Sequence, residues 1–121
     1  MYFDQESIDK VFSMVVYYHQ QYIVRKSRHY LDIASHYCKE LLVKPHLPQW
    51  VLDKARFLCG ACCLLVGVEG EKEEKSLYYR EAASHFTKLR ELTLFTTHFK
   101  EVPVHHSVFD DFFHWSRARS R

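Results

Sequence analysis

Tyr79-Arg80-Glu81-Ala82-Ala83-Ser84-His85-Phe86-Thr87-Lys88-Leu89 carries the pattern from which the rest of the chain can be read. Tyr79, Ala82, Phe86 and Leu89 recur at helical spacing and therefore share one face. A small alanine stands one turn before a large aromatic, and an apolar residue follows three positions later. That sequence of small and large lets a second helix approach closely and lock. The same kind of spacing recurs along the chain and strand alternation is absent, so the predicted class is all-α. Four amphipathic helices form two antiparallel hairpins, as a hairpin stack or a helical bundle, and a short aromatic helix follows them.

The first helix is expected to start at Asp4 as cap, with Phe3 and Ile8 as a hydrophobic staple. Its stripe is Ile8, Phe12, Val15, His19, Tyr22 and Ile23. A second stripe runs through Tyr30, Ile33 or Ala34, Tyr37, Cys38, Leu41 and Leu42, with no Gly or Pro between the two. One continuous helix over 5–44 would extend about 60 Å, twice the ~30 Å of a small domain. The preferred reading is two helices turning near Lys26-Ser27, with the single long helix as its alternative. Pro45-His46-Leu47-Pro48 ends the second helix by Lys44. Pro48 suits the first turn of a third, through Trp50, Val51, Ala55, Leu58, Cys62 and Leu65.

Gly67 to Gly70 is the expected end of that third helix. Glu71 to Lys75 reads as loop or first turn, its Glu71/Lys75 spacing favouring helix. The fourth helix carries Tyr79, Ala82, Ala83, Phe86, Leu89 and Thr93 and fades by Thr97. After Pro103, Ser107 and Asp110 resemble a capping box at the head of a helix rich in apolar residues. The expected organisation is a single domain over 1–121, with hairpin one at about 5–44, hairpin two at about 48–97 and the last helix at about 107–116.

Ala82, Phe86 and Leu89 resemble the second-helix positions of the tetratricopeptide repeat, and Ala34, Cys38 and Leu41 have the same relative spacing with a proline soon after. Leu58 and Ala61 occupy plausible first-helix positions. The family's Trp, Leu-Gly and Tyr signature is absent, and Ala34 and Ala82 are 48 residues apart where the family repeats at about 34. The resemblance, over about residues 5–97, implies stacked helical hairpins and a role in holding other proteins, as adaptor, assembly factor or chaperone. About three repeats normally bury a continuous core. Two hairpins leave a face for the aromatic C-terminal helix, or a partner, to cover.

An apolar fraction of 47% and an aromatic fraction of 16% supply a core, and 3 Gly with 3 Pro argue against a turn-rich β-sandwich. A formal net charge of +2 provides no strong field. Arg117, Arg119 and Arg121 cluster at the end, but no basic stripe follows a helix face, so no nucleic-acid partner is expected. MYFDQES has neither a basic region nor an apolar run, so no leader is expected. The apolar run from Phe57 to Val68 is too short for a membrane span. A reducing, cytoplasmic location is the expectation.

Cys59-Gly60-Ala61-Cys62 has the form of a thiol-redox motif, yet lies inside an apolar helix, about three turns beyond Pro48, where cysteine packs as a small hydrophobe. A metal- or thiol-dependent domain using Cys59, Cys62 and clustered histidines is the alternative function. His29 and His36 lie two turns apart, and His98, His105 and His106 follow, but neighbouring histidines rarely point at one metal. No phosphate-binding loop, serine elbow or paired carboxylate appears, Asp110 and Asp111 being adjacent. No enzyme activity, cofactor, metal or small-molecule substrate is expected. Tyr17, Tyr18, Tyr22, Tyr30 and Tyr37 form a tyrosine-rich stripe, and tyrosine is enriched at interfaces. Tyr17 and Tyr18 point about 100° apart on a helix, so Tyr17 with Gln21 is expected to line an exposed surface. The predicted function is a non-enzymatic interaction module, binding another protein or a second copy of itself. Tyr17, Gln21, Phe109, Phe112, Phe113 and Trp115 are its candidate contacts.

Overall fold

Gly60 and Gly67 lie two turns apart on the third helix, and Phe86 and Tyr79 lie two turns apart on the fourth. In the computed structural model, which describes residues 5–88 and 106–119, each glycine receives one of those rings. A β-carbon on Gly67 would lie 2.7 Å from the Tyr79 ring, and one on Gly60 would collide with Phe86. Gly60 thus opposes the later aromatic and Gly67 the earlier one, which fixes an antiparallel pair in a single register. The described residues are all-helical with no strand: α1 Gln5–Arg25, α2 Arg28–Leu42, α3 Gln49–Glu69, α4 Lys72–Thr87 and α5 His106–Arg119.

Consecutive helices pack on one another, α1 on α2, α2 on α3 and α3 on α4, and α5 lies against α3. The centre is α3, buried without interruption from Phe57 to Gly67. A helix that is apolar or small on every side belongs in a core. The apolar residues of α1 and α2 fall on one stripe each, Ile8, Phe12, Val15 and Tyr22 on the former and Leu31, Ala34, Cys38 and Leu41 on the latter.

The turn between α1 and α2 shows why no punctuation announced it. Lys26 takes a left-handed conformation, φ 58°, a position where glycine is the usual residue. Its amide donates to the Tyr22 carbonyl at 2.7 Å, and Ser27 opens α2 in extended conformation. The hairpin is locked by Tyr18, stacked 6.3 Å from both Tyr30 and Tyr37. Pro48 precedes α3 as its cap, its carbonyl accepting from Val51 and Leu52.

Two of the expected boundaries hold and the last differs. α3 ends within the expected Gly67–Gly70 stretch, at Glu69 with Gly70 as its cap, and the missing side chain of Gly67 makes a packing socket. Residues 72–75 are the first turn of α4, with the Lys75 amide bonded to the Glu71 carbonyl. The last helix opens at His106 and runs to Arg119, longer than 107–116. The Asp4 cap, the Phe3 half of the staple, the fourth helix beyond Lys88 (Leu89, Thr93, Thr97), Pro103, His98 and His105 lie outside the described residues, as do the His106 side chain and Arg121.

The sockets and the strained turn make opposite expectations for glycine. Gly67→Ala should lower unfolding free energy by about 1–3 kcal/mol through overpacking against Tyr79, despite alanine's better helix propensity. Lys26→Gly should raise it by about 0.5–1 kcal/mol by relieving the left-handed residue. Urea denaturation of both variants beside the parent checks the signs; a stabilising Gly67→Ala would contradict the socket.

Candidate functional site

The C-terminal helix is docked, and the docking uses up part of the predicted interface. Phe109 and Phe112 are buried, with Phe112 edge-on to Tyr79 at 5.5 Å and to Phe86 at 5.8 Å. Trp115 meets Tyr79 edge-on at 5.5 Å and stacks on Phe112. Asp111 Oδ2 accepts from the Tyr79 hydroxyl at 2.6 Å and from Lys75 Nζ at 3.1 Å. The Tyr79 bond, reinforced by Lys75, holds the Asp111 carboxyl below its ordinary range, and burial with Asp111 raises the Tyr79 phenol. Helical spacing alone predicts Phe109, Phe112 and Phe113 on one face, with Asp110 and Asp111 towards the other. The helix is instead rotated so that Val108, Phe109, Phe112 and Trp115 face inward with Asp111 at the edge, while Phe113 stays 46% exposed. Phe109 and Phe112 are therefore buried within this chain, Phe112 against Tyr79 and Phe86 and Phe109 against Phe86.

At the far flank α1 has α2 on one side and, among the described residues, little against the other. Tyr17 is 53% exposed, edge-on to Tyr18 at 5.3 Å. It borders a groove of about 530 Å³ with Asp9, Phe12, Ser13, Val16, Gln20 and Lys54. Lys54 reaches from α3 over the Phe12 ring, 4.8 Å from its centroid. Gln21 is half-buried and accepts from Arg25 Nε at 3.0 Å, so Gln20 rather than Gln21 lines the groove. Val24, one helical turn further along, is 76% exposed.

The four thiols lie in the interior, unpaired as disulfides. The Cys38 thiol is hydrogen-bonded to Cys59, and that contact with burial raises it well above the ordinary thiol range. Cys62 Sγ is 2.9 Å from His19 Nε2. Burial raises the Cys62 thiol and lowers the His19 imidazole to about 4. A thiolate nucleophile beside an imidazolium needs the reverse of both shifts, so this pair is held neutral. Cys59 and Cys62 thus contact different neighbours, and neither meets His29 or His36. The latter two are exposed, and His36 Nε2 pairs with Glu40 at 3.0 Å.

A second constellation escaped the sequence reading. Cys63 on α3 and Glu81 with His85 on α4 bring one sulfur, one carboxylate oxygen and one ring nitrogen within 4.8 Å of one another. Glu81 and His85 are four apart on one helix face, a spacing visible in the sequence; Cys63 joins them only through the α3–α4 register. Lys39 Nζ on α2 lies 3.2 Å from Glu81. Burial works to raise the Glu81 carboxyl, but the Lys39 bond and charge outweigh it and hold it low. Burial, mainly, raises the Cys63 thiol and lowers the His85 imidazole. The cluster borders a recess of about 260 Å³ lined also by Leu31, Asp32, His36 and Tyr78. Tyr78, which lines the recess, is bonded through its hydroxyl to Arg28, which also pairs with Glu74 at 2.8 Å.

No protein-family model, curated protein or solved structure matches the chain. No helix among the described residues is long and apolar enough to cross a membrane.

Buried His19 sets an acid limit on the fold. Its folded pKa of about 4 lies below the ordinary imidazole value of 6.5, so the unfolded chain binds the extra proton first. Stability is complete above pH 6.5 and is lost as pH falls towards 4. The expected loss from this group between pH 7 and pH 4.5 is about 2–3 kcal/mol. Denaturant titrations at the two pH values should show that His19→Leu removes this part of the acid loss. An unchanged pH dependence would mean that His19 is not titrating from a buried neutral form.

Proposed function

We propose that the chain is a non-catalytic, tetratricopeptide-like helical module that holds a helix of another protein against the outer face of α1. The observation that carries this reading is the asymmetry of the stack. Its α3–α4 flank is covered by α5, whereas α1 presents Tyr17, Gln20 and Val24 along one side with no helix among the described residues laid over them. These positions have the spacing through which one helix receives another. The groove beside Tyr17 is apolar at Phe12 and Val16 and carries Asp9 and Lys54 at its margin, which suits an amphipathic helix bearing a few charges of both signs. Tyrosine offers a large contact area at low entropic cost.

The free thiols are compatible with a reducing, cytoplasmic setting, the location proposed for the module. No nucleic-acid or small-molecule substrate forms part of this reading.

The test is affinity capture with quantitative mass spectrometry, followed by sedimentation of the captured complex. Three proteins are compared: the parent, Tyr17→Glu, and Leu77→Glu on the exposed part of α4. A protein held in stoichiometric amount by the parent and by Leu77→Glu should be lost with Tyr17→Glu, at unchanged melting temperature. Equal capture by all three would refute the α1 face as the binding surface. Loss of a homodimer on Tyr17→Glu would instead make the occupant a second copy of this chain.

A further inference from the structure

The geometry points to a divalent transition-metal site, zinc by preference, formed by Cys63, Glu81 and His85 across the α3–α4 pair. It is independent of the α1 surface and does not use the Cys59/Cys62 pair considered from the sequence. A thiol sulfur, an imidazole nitrogen and a carboxylate oxygen are the three side-chain donors that zinc accepts, and soft sulfur beside nitrogen disfavours magnesium and calcium.

Geometry adds a second argument. The three donor atoms lie within 4.8 Å of one another, and His85 Nε2 is 3.8 Å from Glu81 Oε1. Donors each about 2.0–2.3 Å from one tetrahedral ion lie about 3.3–3.8 Å apart, so closure needs side-chain rotations that draw the donors together by up to about 1 Å. His85 Nε2 is also buried without a hydrogen-bond partner. A buried polar atom left unpaired carries a cost, and a metal bond to its lone pair would remove it. The recess bordered by Cys63 and Glu81 has room for a water or an outside donor in a fourth position.

Charge balance completes the case. Binding replaces the Cys63 S–H bond with an S–metal bond and releases one proton to solvent. Thiolate and carboxylate then cancel the dication, leaving His85 neutral. Lys39, now 3.2 Å from Glu81, supplies the positive charge that the metal would supply, so the two compete for the same carboxylate. Its side chain is half-exposed and can swing to water. Metal binding should therefore weaken as pH falls, because the thiol must lose its proton.

The experiment titrates the purified full chain with Co²⁺, then displaces it with Zn²⁺. One equivalent of Co²⁺ should give the visible bands of tetrahedral cobalt and a near-ultraviolet sulfur charge-transfer band. Cys63→Ser should abolish the charge-transfer band, and His85→Gln should weaken binding by more than the ~10–100-fold typical of losing an outer-shell partner. Lys39→Met should tighten binding, an effect that a merely structural lysine would not produce. Cys62→Ala should leave the spectrum intact. Far-UV circular dichroism of each variant verifies the fold, and Glu81→Gln, at a half-buried position, repeats the test should Cys63→Ser unfold. Failure to bind cobalt or zinc, or a charge-transfer band that survives Cys63→Ser or disappears with Cys62→Ala, overturns the assignment.

Discussion

The fit of Tyr79 and Phe86 into the gaps left by Gly67 and Gly60 is the contact on which the rest of the molecule rests. Without side chains at those two positions, α4 comes close enough for both rings to touch the α3 backbone. Ala82, buried between the rings, keeps the approach close from the other side. Two sockets spaced to match two rings allow one register, since a slip by a turn would push a ring against a side chain. That register brings Cys63 to Glu81 and His85, and it gives Tyr79 and Phe86 the outward edges on which Phe112 lands.

Small side chains let α3 be surrounded. Cys59, Gly60, Ala61, Cys62, Cys63 and Gly67 are all buried, and they leave room for α2, α4 and α5 to pack around one helix. Cysteine serves here as a compact apolar residue with a weak hydrogen bond to spare. Cys38–Cys59 and Cys62–His19 are contacts of that kind, and they tie α3 to α2 and α1. The Cys59 contact and burial keep the Cys38 thiol protonated, and burial keeps the Cys62 thiol protonated and the His19 imidazole neutral, so the interior holds several reactive groups in unreactive forms. Cys63 differs from them because a carboxylate, that of Glu81, adjoins it together with an imidazole.

The two flanks of the stack are finished differently. On α4 the aromatic helix α5 closes the apolar surface, and the shared Asp111 oxygen fixes its rotation through Tyr79 and Lys75. A hydrogen-bonded carboxylate at the edge of an aromatic cluster orients a helix that greasy contacts alone would leave free to roll. On α1 no such helix is present among the described residues, and the stacking that begins with Tyr18 between Tyr30 and Tyr37 stops at an exposed Tyr17. The interaction proposed above would continue the stack by one more helix.

The all-α class, the break at Pro45–Pro48, the stripes of α1 and α2 and the exposure of Tyr17 beside an inward Tyr18 were legible in the sequence alone. Each depends on the angle between residues on one helix or on proline's missing donor, and both are local properties. The turn at Lys26 was inferred from size alone, because a lysine in a glycine conformation leaves no local mark. Gly67 to Gly70 marked the end of α3, but the socket at Gly67 was not legible, since the same absence of a side chain serves a terminus or a socket and only Tyr79 distinguishes them. The rotation of α5 depended on where Tyr79 and Lys75 stand to receive Asp111, which no periodicity within α5 encodes. The Glu81/His85 spacing was written in the chain, but Cys63 becomes their neighbour only through the α3–α4 register. Contacts between helices are set by complementary shapes at positions distant in sequence, and those exist only once the helices have met.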